Sequence, residues 1–160
     1  MSITPEEVYN RLPREIPKTS LPSAEAILYT LQEIRESGVE TLFIITISSA
    51  LSGTFNLMRL TSHDVPELDC RLIDTKNIGI GAGFTVMRAA EMIDAGASAD
   101  EIEAALCCLV KSTKVFFCLP TLEYLAKGGR IGRVTATVGS LLDVRPIISC
   151  NEEGVYYTVQ

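Results

Sequence analysis

Apolar residues recur along this chain in two rhythms. Ala24, Ile27, Leu28, Leu31 and Ile34 keep the 3.6-residue spacing of a helix with one buried face. At 41–47 the run TLFIITI is continuously apolar and β-branched, as expected of a strand covered on both sides. CRLIDT (70–75) repeats that pattern, and VFFCL (115–119) reads as a third strand. EIEAALCCLV (101–110) returns to helical spacing.

Polar punctuation marks where these segments start and stop. Thr4-Pro5-Glu6-Glu7 is a capping box with proline at the first helical position, predicting a short helix over 5–12. REIPKTSLPS (14–23) is a proline-broken loop whose Ser23 caps the next helix, and Gly38 closes that helix in a left-handed conformation. A further helix starts within ISSALSGTF (47–55) and stops before Pro66. NIGIGAG is expected as a glycine-rich loop opening a helix over 84–95, and Ser98 with Glu101 forms a second capping box. TLEYLAKGG reads as helical, RIGR as a basic turn, and ATVGSLLDV has no clear type. RPIISC, NEEG and VYYTV form a hairpin.

Helix and strand alternate to residue 119, which predicts an α/β domain with a parallel sheet over 1–119. The stretch 120–160 breaks the alternation and is expected to begin a second α/β domain. Three strands make a thin sheet, and the closing hairpin needs a cover, so both units are expected to be incomplete.

Composition narrows the function. The 160 residues carry a net charge of −6, which argues against nucleic acid as the main partner, since phosphate binding needs clustered Lys and Arg. Tryptophan is absent and aromatics are 6%, so base-stacking platforms are not expected either. No apolar run approaches the roughly 18 residues of a membrane span. The acidic start MSITPEEVYN is not a signal peptide, so a cytoplasmic protein is expected. Cys70, Cys107, Cys108, Cys118 and Cys150 include no CxxC and are expected as small buried hydrophobes in a reducing compartment. Their spacing, with His63 the one histidine, does not suit a metal site.

Candidate chemistry lies in the turns. Crossover helices bring their N-termini to the carboxyl edge of a parallel sheet, where ligands of open α/β folds bind. KTSLPS and SSALSGT therefore share one edge, bringing unpaired N–H groups and the hydroxyls of Thr19, Ser20, Ser23, Ser48, Ser49, Ser52 and Thr54. Gly53 permits a close approach. An anion suits such a site. Capping alone accounts for Ser23 and one other hydroxyl, not for the whole cluster. A serine hydrolase is excluded within these residues: Ser52 lacks the flanking glycines of a nucleophile elbow, and His63 lies roughly 15 Å along the same helix. GIGAGF has the wrong glycine spacing for a dinucleotide loop. KGGRIGR (127–133) is the one concentrated basic patch.

TSLPS, ISSALSGTF, LIDTKNIGIGAG and TLEYLAKGGRIGRV…GSLLDVRPII…EEG, in this order and spacing, resemble the DegV family of bacterial fatty-acid-binding proteins. The resemblance runs from about Lys18 onward and departs from the usual pattern at Leu21, Ala50 and Phe55. It implies a three-layer α/β/α domain followed by a two-layer α/β domain, with a long-chain acyl group between them. It implies that Thr19 and the Ser48–Ser49 pair hold the carboxylate, which of the two serines donates through its hydroxyl being open. Ser52, Gly53, Thr54, Phe55 and Arg130 are implied as pocket or partner contacts. No cofactor or catalytic residue is implied: a separate fatty acid kinase phosphorylates the bound acid. Neutral donors suit that task, because they hold one carboxylate without burying an opposing full charge. Phe55, Met58, Ile78 and Phe84 are expected to wall the alkyl chain, each buried CH₂ contributing about 0.8 kcal/mol. A phosphotransferase-like enzyme that binds a phosphorylated small molecule at the same turn is the alternative; it needs acidic metal ligands, of which Asp74 is the candidate.

Overall fold

Two strands, β1 (Thr41–Thr46) and β2 (Asp69–Asp74), pair in parallel with Thr41 opposite Asp69 and Thr46 opposite Asp74. They are the frame of a computed structural model that describes residues 3–134 and 146–159. Successive side chains of a strand point to opposite faces. Leu42 and Ile44 accordingly pack with Ile27, Leu31, Val65 and Leu68, under helices α2 (Ala24–Glu36) and α3 (Thr54–Ser62). Phe43, Ile45 and Ile73 pack on the other side with Ala89, Ile102 and Leu106, from helices α4 (Ile80–Asp94) and α5 (Ala99–Ser112). The result is helix, sheet, helix. Helix α1 (Pro5–Arg11) buries none of its residues.

The local signals act as expected. Thr4 and Glu7 cap α1 reciprocally, Ser98 and Glu101 do so for α5, and Ser23 Oγ accepts the Ala26 N–H at 3.1 Å. Gly38, just past α2, has φ +87°. His63 caps the C-terminus of α3 and is exposed. Arg71 of β2 reaches Asp69, Asp100 and Glu103 and so pins the strand to the start of α5.

The expectation of a third parallel strand at 115–119 is corrected. Phe117 instead exchanges both backbone bonds with Ile148, at 3.0 and 2.8 Å, in an antiparallel bridge. Ile148 belongs to the closing hairpin of β3 (Ile148–Cys150) and β4 (Tyr156–Thr158). The ring of Phe117 meets Tyr156 edge-on, with centroids 5.5 Å apart. A short apolar run announces a covered strand without naming its partner. With helix α6 (Glu123–Lys127), these residues enclose a third cluster around Leu51, Val134, Ile148, Cys150 and Tyr156.

Two further expectations change. The helix expected over 84–95 begins at Ile80, so Gly81 and Gly83 lie inside it. A Cβ on Gly81 would stand 2.5 Å from Asn77 Oδ1, so this glycine serves close packing rather than a loop. Cys150 is buried and Cys70 partly so, but Cys107, Cys108 and Cys118 are exposed. Ile102 and Leu106 occupy the inward stripe of α5 and leave Cys107 and Cys108 outside it. ATVGSLLDV (136–144) lies outside the described residues.

Among the described residues one hydrogen bond ties the hairpin to the turn that follows β1. Ser48, two residues past β1 and fully buried, donates its hydroxyl to the Gly154 carbonyl at 2.9 Å. Gly154 has φ +80°, and a Cβ there would stand 2.0 Å from Ser48 Oγ. Left-handed backbone costs a residue with a Cβ about 1–2 kcal/mol, and breaking the buried bond costs about as much again. Gly154→Ala should therefore lower unfolding stability by more than about 2 kcal/mol, read from the urea midpoint. An unchanged midpoint would contradict this anchoring.

Candidate functional site

The turn after β1 carries three serines with different occupations. The Ser48 N–H donates to the Asn77 carbonyl at 2.8 Å, while its hydroxyl serves Gly154 and accepts the Ala50 N–H at 3.1 Å. Both polar groups of Ser48 therefore work inside the fold. Ser52 Oγ lies 2.9 Å from Thr54 Oγ1 and accepts the Thr54 N–H at 3.3 Å, a local knot at the start of α3.

Ser49 stands differently. It is half-buried, and its N–H donates to Asp74 Oδ1 at 3.1 Å. Its hydroxyl oxygen accepts from Lys76 Nζ at 3.3 Å. Lys76 Nζ also sits 2.7 Å from Asp74 Oδ2. Lys76 was not singled out by the sequence, because its meaning depends on partners brought in by the fold. It adopts φ +51°, unusual for a side chain of this length. Asp74 Oδ1 accepts the Lys76 N–H at 3.1 Å and holds that conformation. Burial pushes the Asp74 carboxyl up, but the bonds from Lys76 and Ser49 outweigh it, so its pKa lies below the ordinary value. The Asp74 carboxylate is committed to this ammonium and to two N–H groups, and Lys76 Nζ acts here as a donor.

A lattice of buried polar groups fixes this corner. Thr75 Oγ1 donates to the Thr46 carbonyl at 2.8 Å and accepts the Asn77 N–H at 3.3 Å, and Asn77 Nδ2 donates to the Thr113 carbonyl at 3.0 Å. The ends of β1, β2 and α5 are thereby joined.

The loop with Thr19 meets the turn from outside. Leu21 comes so near Gly53 that a Cβ there would stand 3.2 Å from Leu21 Cδ1; the close approach expected at Gly53 is made by this side chain. Thr19 is exposed and lines a groove of about 910 Å³ with Lys18, Leu125, Lys127 and Arg130. Arg130 Nε donates to the Leu51 carbonyl at 3.3 Å, so this arginine touches both the groove and the hydroxyl turn. Ser49 does not line that groove.

The expected alkyl wall does not assemble. Met58 packs against the α2 side of the sheet, Ile78 joins the hairpin cluster, and Phe84 is 49% exposed on α4. The three lie in different places because Met58 is on α3, Ile78 in the loop before α4, and Phe84 on α4 itself. Phe55 is half-buried at the start of α3. A separate cleft of about 610 Å³ opens beside Lys76, between β2, the end of α5 and the hairpin turn. Leu72, Ile73 and Val110 give it apolar walls, and Lys76, Lys111 and Lys114 stand around it. Cys150 lies in its lining; burial pushes that thiol up to about 11, opposed by the Lys114 ammonium.

A helix–sheet–helix core with hydroxyls and a part-exposed ion pair at the carboxyl edge of the sheet is an α/β protein of the kind that binds ligands at that edge. The chain belongs to the DegV family: the pattern described as "Uncharacterised protein, DegV family" matches residues 1–160. A DegV domain-containing protein of Clostridium acetobutylicum is 42% identical over 158 residues, 99% of this chain and 56% of the relative. A DegV family protein from Thermus thermophilus, solved for its fatty acid binding, superposes with a TM-score of 0.90 at 31% identity, over 99% of this chain and 56% of that one. DegV from Bacillus subtilis, described as a fatty acid binding protein, gives 0.82 at 27% identity, over 97% and 56%. The chain thus spans about half the length of the relatives it matches.

Asp74→Asn tests the ion pair: it keeps an oxygen for the two N–H bonds but removes the charge facing Lys76. Because the carboxyl pKa is lower folded than unfolded, its contribution is complete above the unfolded value of about 3.9 and is lost as pH falls through the folded value. Urea midpoints measured from about pH 6 to about pH 2.5 should fall more steeply in the wild type than in Asp74→Asn. Parallel curves would contradict the assignment.

Proposed function

We propose that this chain is the head-group half of a lipid carrier, which binds a long-chain fatty acid through its carboxylate and presents that group to a separate kinase. The observation that carries this reading is the state of the Ser49 hydroxyl. Lys76 donates into its oxygen and Asp74 takes the amide, and the hydroxyl proton, which leans on Asp74 in the free protein, turns to an incoming acceptor in this reading. Ser48 spends both its N–H and its hydroxyl inside the fold, which supports assigning the donor of the pair to Ser49. Thr19 supplies a second neutral donor from the loop that packs on Gly53 through Leu21. The fatty acid binding described for the Thermus and Bacillus relatives supports the ligand class.

Charge balance favours a carboxylate guest here. The Asp74–Lys76 pair is neutral as a unit, and a neighbouring hydroxyl binds an anion without a second buried charge to desolvate. Ser52, Gly53, Thr54 and Phe55 shape the turn in this reading, and Arg130, at the groove edge, faces the kinase. The carrier performs no chemistry. The phosphotransferase-like alternative needs Asp74 as a metal ligand, and that carboxylate is already occupied by an ammonium at 2.7 Å and two N–H groups.

Protein purified at its natural length should carry an extractable acyl chain by mass spectrometry. Thr19→Ala with Ser49→Ala should weaken palmitate binding by more than about tenfold, about 1.4 kcal/mol. Lipid-free protein that takes up neither palmitate nor oleate, or a double variant of unchanged affinity, would contradict the proposal.

A further inference from the structure

We propose that the cleft beside Lys76 receives the phosphoryl group of the acyl phosphate made on the bound fatty acid, with Lys111 and Lys114 as its counter-charges. This inference rests on the reading of a carboxylate held at Ser49. Lys76 connects the two places: its ammonium bonds Ser49 Oγ, and it also lines the cleft of about 610 Å³. In this reading a group added to the carboxylate on the Lys76 side reaches the cleft past that ammonium.

The chemistry calls for positive charge at that position. In the transfer, a carboxylate oxygen attacks the terminal phosphorus of a nucleoside triphosphate supplied by the kinase. A C–O–P bond forms, the bond from that phosphorus to its bridging oxygen breaks, and the nucleoside diphosphate leaves with the electron pair. Nothing is oxidised or reduced. The head group gains about one negative charge and several acceptor oxygens. Lys76 is committed to Asp74, whereas among the described residues Lys111 and Lys114 form no ion pair. Glu152, across the cleft, is the one other carboxylate in its lining besides Asp74. Lysines are point-charge binders of phosphate, and two of them suffice to outweigh Glu152.

Lys111 and Lys114 also flank the C-terminus of α5, where cations favour the helix dipole. That role affects stability and is blind to the ligand's head group, so a comparison of two ligands separates the roles. The probes are palmitate and 2-oxoheptadecylphosphonate, in which a methylene replaces the bridging oxygen of palmitoyl phosphate. Both are titrated by calorimetry into wild-type protein of natural length and into Lys111→Gln/Lys114→Gln. The double variant should lose about tenfold or more in affinity for the phosphonate and less than about twofold for palmitate. Equal losses for both ligands, or an unchanged phosphonate affinity, overturn the inference while leaving the carrier reading intact. Wild-type protein that binds neither ligand overturns the carrier reading and this inference together.

Discussion

The hydrogen bond from Ser48 to the Gly154 carbonyl spans 106 positions of sequence and lies wholly out of solvent. A buried polar pair of this kind is worth little when made and costs about 1–3 kcal/mol when one partner is removed. It therefore specifies an arrangement more than it stabilises one. Ser48 lies two residues past β1, Gly154 sits at the tip of the closing hairpin, and their contact demands a residue without a Cβ in a left-handed backbone. With Ser48 held inward by this bond and by Asn77, its neighbour Ser49 faces Asp74 and Lys76. The serine pair thus divides its labour: one anchors, the other is available.

That division gives the head-group corner its electrostatic character. An isolated hydroxyl there would grip an anion weakly. The Asp74–Lys76 pair answers this, since the carboxylate pairs with the lysine while the lysine fills a lone pair of the Ser49 oxygen. In the proposed reading an incoming carboxylate meets a neutral donor beside a paired lysine. The cleft next to it is the opposite case, with lysines whose charge is not cancelled in place, and it suits a more highly charged group.

Features governed by neighbours in sequence were legible without coordinates. Both capping boxes, the Ser23 cap, the left-handed Gly38 and the closing hairpin depend on residues a few positions apart, and each forms as its spacing implies. The hydroxyl turn was legible as a strand-to-helix connection for the same reason. Features governed by distant partners were not. VFFCL reads as a covered strand either way, and only Ile148, far along the chain, decides that it pairs antiparallel. The glycines after Asn77 look like a loop until Asn77 is seen to press on Gly81 inside a helix. Lys76 follows β2 closely, but its value comes from Ser49, 27 positions earlier. Thr19 and Arg130 were legible as motif residues, and their shared groove emerges only in the fold.

The central claim is that the Ser49 hydroxyl, and not that of Ser48, grips the acid. A crystal structure of the protein of natural length grown with palmitate tests it most directly. The account predicts a carboxylate oxygen within hydrogen-bonding distance of Ser49 Oγ, while Ser48 Oγ stays on the Gly154 carbonyl. A carboxylate bonded to Ser48 with the Gly154 contact broken, or one seated against Arg130 away from both serines, would contradict it.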